Sequence, residues 1–288
     1  MPSSIQYKKV YIDSTFRTGD SVSSSDFKYE LPETITIPHD NAVVYLDDIT
    51  IPHSWESILN NINNKLYFKV YKLNPLPEEE YHLIASIEPG NYTGGDLATE
   101  IQAEMNSETQ NATSFINLFT CSYVVKTNKI TITCNSSIYA FRIITQPELK
   151  TIDWTGSSFD RNKPNDINEI LSNLDKFSVR YNSLIPYVSG ALNLQPFSNI
   201  YIHATNLCNY NTIGPQNERT IVKKVPVSAD YNHMIFDQCV LINDYNDCSG
   251  ATLKTLYFQL KSSRGDIIPL NGCNWSFSLT FSRQSQDV

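Results

Sequence analysis

The stretch WSFSLTFS, at positions 275 to 282, decides the fold. Large apolar side chains alternate in it with small hydroxyl side chains; the apolar set is Trp275, Phe277, Leu279 and Phe281. Successive side chains of a strand point to opposite faces of its sheet, so the pattern predicts a strand with one buried face. One-sided burial of this kind is typical of antiparallel sheets.

Runs of similar character fill the rest of the chain, about 14 in all by the usual strand signals. Long runs lie at both ends of the chain, and a β-α-β-β unit lies between them. This order predicts a mainly all-β protein, an antiparallel β-sandwich interrupted by a small inserted α+β domain. We expect a mobile N-terminal arm at 1–25, the sandwich at 26–59 and 176–288, and the inserted domain with its linker at 60–175.

The run NAVVYLDDITIP, at 41 to 52, contains an acidic pair. Strict alternation predicts that Asp48 shares a face with Leu46, and that Asp47 shares the opposite face with Ile49. The carboxylates of Asp47 and Asp48 should therefore point apart, and they should share neither a proton nor a substrate.

One long helix is predicted after EPGNYTGGDL. Thr93 and Asp96 have the spacing of a helix-capping pair, and Leu97, Ile101 and Met105 then form one apolar face. A second, short helix is predicted from Pro164 onward; its apolar side is Ile167, Ile170, Leu171 and Leu174.

The runs TCSYVV and KITITC read as a hairpin around KTNK. With Thr127 and Asn128 as the turn, Cys121 and Cys134 would face each other, where Cβ atoms approach closely. A cross-strand disulfide is then geometrically conceivable, and two small buried thiols are the alternative. The six cysteines lack CxxC spacing and no secretory signal precedes them, so we expect mostly reduced thiols in an intracellular compartment.

Charge and composition exclude several classes of protein. The formal net charge is −8 and there is no run of Lys and Arg, so we expect no direct contact with nucleic acid. No apolar run reaches the roughly 18 to 20 residues that span a bilayer, so no transmembrane segment is expected.

Catalytic and metal-binding motifs are also missing from the sequence. It contains no GxSxG, HExxH or phosphate-binding loop, and His53 and His203 lie in a turn and on a strand face respectively. Asp244, Asn246 and Asp247 have oxygen ligands for calcium but not the spacing of an EF-hand, so a turn is expected. We therefore expect no enzyme activity, no cofactor and no metal.

Several stretches together resemble the penton, or minor capsid, proteins of virophages and Polinton/Maverick-type elements. They include VYIDSTFRTGDSVSSSDF near the N-terminus, IEPGNYTGGDLATEIQAEMN in the middle, and TLKTLYFQLKSSRGDIIPLNGCNWSFSLTF near the C-terminus. The resemblance implies a single jelly-roll whose five copies close the vertex of an icosahedral capsid beside a double jelly-roll major capsid protein. It also implies a place in the virion, with assembly inside the host cell. The alternative is a receptor- or carbohydrate-binding sandwich of a fibre or spike, because a fold alone does not fix a function.

The same resemblance places DSTFR and SSDF before the first long jelly-roll strand. One interpretation is that Asp13, Arg17, Asp26 and Phe27 anchor the arm against the body or a neighbouring subunit, with Arg17 forming a charge-assisted fork to a carboxylate. The alternative is a solvated arm with a surface arginine. The polar stretch NYNTIGPQNERTIVKK is either an exposed loop that contacts another subunit or an ordinary loop.

The stretch QLKSSRGDIIPLNG, at 259 to 272, contains Arg264, Gly265 and Asp266, a tripeptide by which adhesive proteins engage receptors. Its position between two predicted core strands favours a turn, since Gly265 can adopt a positive φ and the following Ile267, Ile268 and Leu270 can pack the connection down.

Overall fold

The computed structural model describes residues 8–37, 42–74, 76–151, 165–173, 179–207, 212–239 and 245–283. The chain forms two compact units: unit 1 is Met1–Trp55 with Phe197–Val288, and unit 2 is Glu56–Pro196. The second boundary lies further along the chain than the expected position at 175. The reason is that Tyr187–Val188 pairs with a strand of unit 2, which keeps the residues before 197 in that unit.

The strands, in chain order, are β1 (Lys8–Asp13), β2 (Asp26–Thr36), β3 (Ala42–Pro52), β4 (Lys65–Lys72), β5 (Glu79–Ser86), β6 (Phe119–Val124), β7 (Lys129–Cys134), β8 (Tyr139–Ile143), β9 (Tyr187–Val188), β10 (Asn199–Ala204), β11 (Ile221–Pro226), β12 (Met234–Asp237), β13 (Asn246–Asp247), β14 (Thr252–Lys261) and β15 (Ser276–Arg283). The helices are α1 (Gly94–Thr113) and α2 (Gln146–Leu149), and single 3-10 turns cover Ser14–Phe16 and Ile167–Glu169.

Unit 1 is built from two antiparallel sheets. The first sheet has the order β1-β15-β3-β12, with β13 also paired to β3, and the second has the order β11-β10-β14-β2. Apart from the β10–β11 hairpin, consecutive long strands of unit 1 alternate between the two sheets, as in the two Greek keys of a jelly-roll. The predicted all-β jelly-roll is confirmed, and unit 2 is inserted between β3 and β10.

The core of unit 1 follows from the alternation in β15. The four apolar side chains predicted to point inward are all buried, namely Trp275, Phe277, Leu279 and Phe281. The Trp275 ring stacks on Phe277 with 4.7 Å between centroids, and Phe258 meets the edge of Phe277 at 4.8 Å. Aromatic pairs at these distances add to the stabilisation from buried area.

The expected alternation along β3 is wrong after Leu46. Asp48 has a φ of 49°, and the pairing of β15 with β3 shifts between Ser276 and Ser278. This bulge turns Ile49 into the core and leaves Asp48 exposed. As a result both carboxylates reach one ammonium group: Lys9 Nζ lies 3.5 Å from Asp47 and 2.6 Å from Asp48.

Unit 2 contains two three-stranded antiparallel sheets, β5-β4-β8 and β6-β7-β9, and the helix α1. Thr93 caps α1 as predicted, since its hydroxyl accepts a hydrogen bond from the Asp96 amide. The predicted apolar face of Leu97, Ile101 and Met105 is buried. The helix packs against β5, β6 and β7 and closes a core shared with strand residues such as Phe68 and Ile132.

The predicted register of the β6–β7 hairpin is wrong by two residues. Cys121 pairs with Ile132, and Cys134 pairs with Phe119, because the loop at 125–128 is centred one residue earlier than predicted, between Lys126 and Thr127. Asn128 adopts a φ of 54° and allows this loop. The two cysteines do not oppose each other and both are free thiols, so the conceivable disulfide is not formed.

Two further elements predicted from the sequence differ in the structure. The strand expected at 176–181 is not regular where the structure describes it, and the backbone of Tyr181 pairs with Phe141 as an isolated bridge. The short helix expected from Pro164 is a single 3-10 turn at Ile167–Glu169, with Leu174 outside the described residues. No helix in the described ranges is both long and apolar enough to cross a membrane.

Candidate interaction surfaces

The N-terminal segment expected to form a mobile arm, residues 1–25, is folded onto unit 1 where the structure describes it, at 8–25. β1 pairs with β15 along its whole length, from Lys8 to Asp13. Further on, Thr18 N donates to Lys28 O at 2.9 Å, and Lys28 N donates to Ser21 Oγ at 3.0 Å. These bonds occupy the outer edge of β2 at Lys28, so this segment protects an edge that is otherwise open to other chains.

Asp13 and Arg17 lie on either side of the 3-10 turn that follows β1. The Asp13 carboxylate accepts a hydrogen bond from the Thr15 amide at 2.8 Å and caps the turn. Arg17 Nη1 donates to Ser14 O at 2.9 Å and to Asn274 Oδ1 at 3.2 Å. Arg17 is therefore anchored to the body by neutral oxygens, and the expected fork to a carboxylate is not formed among the described residues.

Asp26 and Phe27 both make their contacts within unit 1. Phe27 lies in the core, and Asp26 binds side chains of the neighbouring strand β14. Phe27 is fully buried and lies 5.6 Å from Phe258 between ring centroids, so its side chain does not reach a neighbouring subunit. The Asp26 carboxylate accepts hydrogen bonds from Tyr257 Oη at 2.6 Å and Gln259 Nε2 at 3.1 Å. Burial and this carboxylate raise the pKa of Tyr257 to about 12.

The tripeptide at 264–266 forms a tight turn. Ser262 N donates to Asp266 O at 2.9 Å, the Ser262 hydroxyl accepts hydrogen bonds from the amides of Arg264 and Asp266, and Gly265 has a φ of 82°. Ile268 behind the turn is fully buried. The turn geometry agrees with the turn that the sequence predicts.

This turn meets the loop that precedes β11. A Cβ added at Gly265 would lie 3.3 Å from Gln216 Oε1, so the two loops are in contact. The Gln216 amide donates to the Glu218 carboxylate at 2.7 Å, and Gly214 N donates to Glu218 O at 2.8 Å. Within 212–220 the loop is thus ordered by its own backbone and side-chain hydrogen bonds, and its contact with another subunit stays a prediction. The first residues of the stretch, 209–211, lie outside the described ranges.

His203 is buried beside this loop, on β10. Its Nδ1 lies 2.8 Å from Thr220 Oγ1, and its Nε2 has no hydrogen-bond partner among the described residues. Burial, followed by the charge of Lys261, lowers the pKa of His203 to about 4, against a smaller opposite effect of Glu218. A histidine in this state is neutral near pH 7, and among the described residues its ring contacts only the Thr220 hydroxyl by hydrogen bond, which fits a structural role.

We expect the stability of unit 1 to fall as the pH drops from about 6.5 to about 4. In that window the unfolded chain protonates His203 while the folded chain does not, which costs up to about 1.4 kcal/mol per pH unit. The variant His203→Gln should flatten this part of the curve in urea unfolding, and the exposed His233→Gln should not. An unchanged pH slope in His203→Gln would contradict the assignment.

The cysteines considered as nucleophiles and the residues considered as calcium ligands have structural surroundings wherever the structure describes them. Burial raises the pKa of the Cys121 and Cys248 thiols to about 12, so both stay protonated and are poor nucleophiles. Asn246 Nδ2 donates to Val222 O, and the Asp247 carboxylate accepts from the Ser249 amide, while Asp244 lies outside the described residues. No group of three or more His, Cys, Asp or Glu in the described ranges could hold a metal ion.

Exposed apolar residues mark surfaces that the sequence did not single out. Tyr11 and Phe16 lie on and just after β1, and Phe236 lies on β12, at the opposite edge of the same sheet. Alternation in β12 was a usable signal for Phe236, since its neighbour Ile235 is fully buried. Large exposed aromatics at two sheet edges are typical of protein contacts.

Comparison with solved structures decides the fold relationship. The mavirus penton protein superposes with a TM-score of 0.54 and 11% sequence identity, over 97% of this chain and 100% of that chain. The fold is that of the mavirus penton protein. The expected resemblance to virophage pentons is thereby confirmed at the level of the fold, through both the jelly-roll and the inserted unit.

Other comparisons add little to this penton fold. A chain of the Sputnik virophage structure superposes with a TM-score of 0.43 and 12% identity, over 97% of this chain and 98% of that chain. No protein-family model and no curated protein sequence matches the chain.

Proposed function

We propose that this protein is a structural subunit of a viral capsid and that five copies form the vertex of an icosahedral shell. The observation that carries the proposal is the match of the whole chain, with its inserted unit, to the whole mavirus penton protein. Fold analogy alone leaves function open, so the assignment also draws on the interaction surfaces of unit 1.

A five-membered ring needs two different surfaces on each copy, because its contacts are heterologous and close by rotation. The first sheet of unit 1 offers exposed aromatics at both edges, Tyr11 beside β15 and Phe236 beside β3. The expected partners are other copies of this chain and a double jelly-roll major capsid protein around the vertex. The proposed location is the virion, after assembly inside the host cell.

Mass photometry of the purified full-length chain, followed by cryo-electron microscopy of particles, tests this function. We expect a pentamer of the 32.7 kDa chain, alone or in the presence of the shell protein, and density for five copies at each vertex. Density for the chain on a projecting fibre, with the vertex filled by another protein, would contradict the proposal and favour a receptor-binding role.

A further inference from the structure

An open cavity of about 370 Å³ lies at one end of the jelly-roll in unit 1. One wall is the serine-rich segment that the sequence assigned to the arm, the other is the connection between β14 and β15, and Arg17 lies at the edge. The lining residues are Arg17, Ser23–Ser25 and Ile267–Gly272. Its apolar floor with a few polar groups resembles the usual composition of a binding pocket.

Arg17 brings an uncompensated positive charge to this cavity. A guanidinium has five N–H donors, and the two hydrogen bonds of Arg17 both use Nη1 and both end on neutral oxygens. Nearby carboxylates are engaged elsewhere: Asp13 caps the 3-10 turn and Asp20 pairs with Lys28. Within the described ranges no carboxylate lies within ion-pair distance of Arg17, although the chain has 30 acidic residues and 22 basic ones.

Both walls of the cavity are held by the core, so the pocket exists before anything binds. Trp275 Nε1 donates to Ser24 O at 2.8 Å, and Leu260 N donates to Ser25 O at 2.8 Å. On the other wall Ile268 is fully buried, and Leu270 O accepts a hydrogen bond from the Ser54 hydroxyl at 2.8 Å. A preformed pocket loses little conformational entropy on binding.

The sheet topology places the loop that carries Asp230 at the same end of the first sheet, on the opposite edge. Asp13 pairs with Ser276, and Met234 pairs with Pro52, so the end of β1 and the start of β12 lie at the same end of the first sheet. β1 and β12 are the two edges of that sheet, about 14 Å apart at normal strand spacing. Arg17 follows the first of these edge strands, and the loop with Asp230 precedes the second.

Asp230 is available for a partner. Its side chain is exposed and makes no hydrogen bond or ion pair with the described residues. The loop around it is held by His53, whose amide donates to His233 O at 2.9 Å and whose ring Nδ1 lies 2.7 Å from Ala229 O. The carboxylate is therefore presented by an ordered loop, with the aromatic side chain of Tyr231 next to it in sequence.

We propose that the Arg17 cavity receives the Asp230 loop of a second copy of this chain, and that this contact recurs around the ring. The proposal rests on the proposed vertex function, because it needs a head-to-tail ring of like subunits. Arg17 would bind the Asp230 carboxylate through its free donors, while the apolar floor accommodates the flanking residues. Charge-assisted arginine–carboxylate pairs of this kind give geometric specificity as well as attraction.

A charge-swap series tests the contact in the full-length chain. Arg17→Glu and Asp230→Arg should each weaken ring formation about tenfold or more, measured as pentamer fraction against concentration by mass photometry, or as vertex occupancy in assembled particles. The double variant, with both changes, should recover most of the loss. Lys126→Glu, an exposed basic residue in the β6–β7 loop of unit 2, is the control and should leave assembly unchanged.

The outcomes separate this contact from the function on which it rests. Asp230→Arg changes an exposed side chain, so it tests the contact even where Arg17→Glu disturbs folding, and thermal unfolding checks each variant. Wild-type assembly together with a double variant no better than the singles would overturn the contact and leave the vertex function standing. A wild-type chain that neither forms rings nor occupies vertices would overturn both.

Discussion

Replacing Trp275 with alanine is expected to lower the free energy of unfolding of unit 1 by about 3 to 5 kcal/mol, the range for a large buried aromatic. Trp275 is 2% exposed, stacks on Phe277, and meets Phe27 edge-on at 5.8 Å between centroids. Its indole also ties the serine-rich segment to the core through Ser24 O. The alanine variant would therefore lose core volume and release a wall of the cavity together.

Urea unfolding followed by circular dichroism measures this loss, and hydrogen exchange at β15 and its partners locates it. The matched control is Phe236→Ala, because Phe236 is 69% exposed and its truncation should change stability by no more than about 0.5 kcal/mol. Trp275→Phe keeps an aromatic ring without the donor to Ser24, and it should lie between the wild type and the alanine variant. Equal stability of Trp275→Ala and Phe236→Ala would refute the central position of Trp275.

The second large effect is expected from a buried ion pair between the two sheets. Lys223 on β11 and Asp237 on β12 lie 3.4 Å apart, Nζ to Oδ2, with side chains 8% and 23% exposed. Asp237 Oδ2 is buried and accepts no hydrogen bond from the described residues, so Lys223→Met would remove the cation beside it and should cost about 3 kcal/mol. The double variant Lys223→Met with Asp237→Leu buries no charge and should recover most of that loss.

Urea midpoints of Lys223→Met, Asp237→Leu and the double variant measure the coupling. The exposed pair Lys28–Asp20 is the control, and Asp20→Ala should leave stability nearly unchanged because water screens such pairs. Additive losses in the double variant of the buried pair would show that Lys223 and Asp237 do not compensate each other's burial.

Much of the fold is readable from the sequence where a pattern is local. The alternation of Trp275, Phe277, Leu279 and Phe281 predicted a buried strand face, and all four are buried. The capping pair Thr93 and Asp96 predicted the start of α1. Both signals depend only on side chains a few residues apart, where backbone geometry fixes which groups can meet.

The pairing of strands and the direction of side chains at irregular positions were harder to predict from the sequence. The β6–β7 register depends on where the loop is centred, and the sequence does not say whether the centre lies between Thr127 and Asn128 or between Lys126 and Thr127. The bulge at Asp48 arises where β3 must pair with β15, more than two hundred residues away along the chain. It overrides the alternation that would have separated the carboxylates of Asp47 and Asp48.

The interaction surfaces likewise depend partly on local sequence and partly on tertiary contacts. The sequence alone determined the polar and charged residue types, such as the serine run and Arg17, together with the strand periodicity of the chain. Only the tertiary structure decided that the serines form a cavity wall instead of a mobile arm, since Trp275 Nε1 reaches Ser24 O across the sandwich. Likewise only the sheet order places the segments that carry Arg17 and Asp230 at opposite edges and the same end of one sheet. The physical reason is that alternation is imposed by the local backbone, whereas cavities and matching edges arise from contacts between residues remote in sequence.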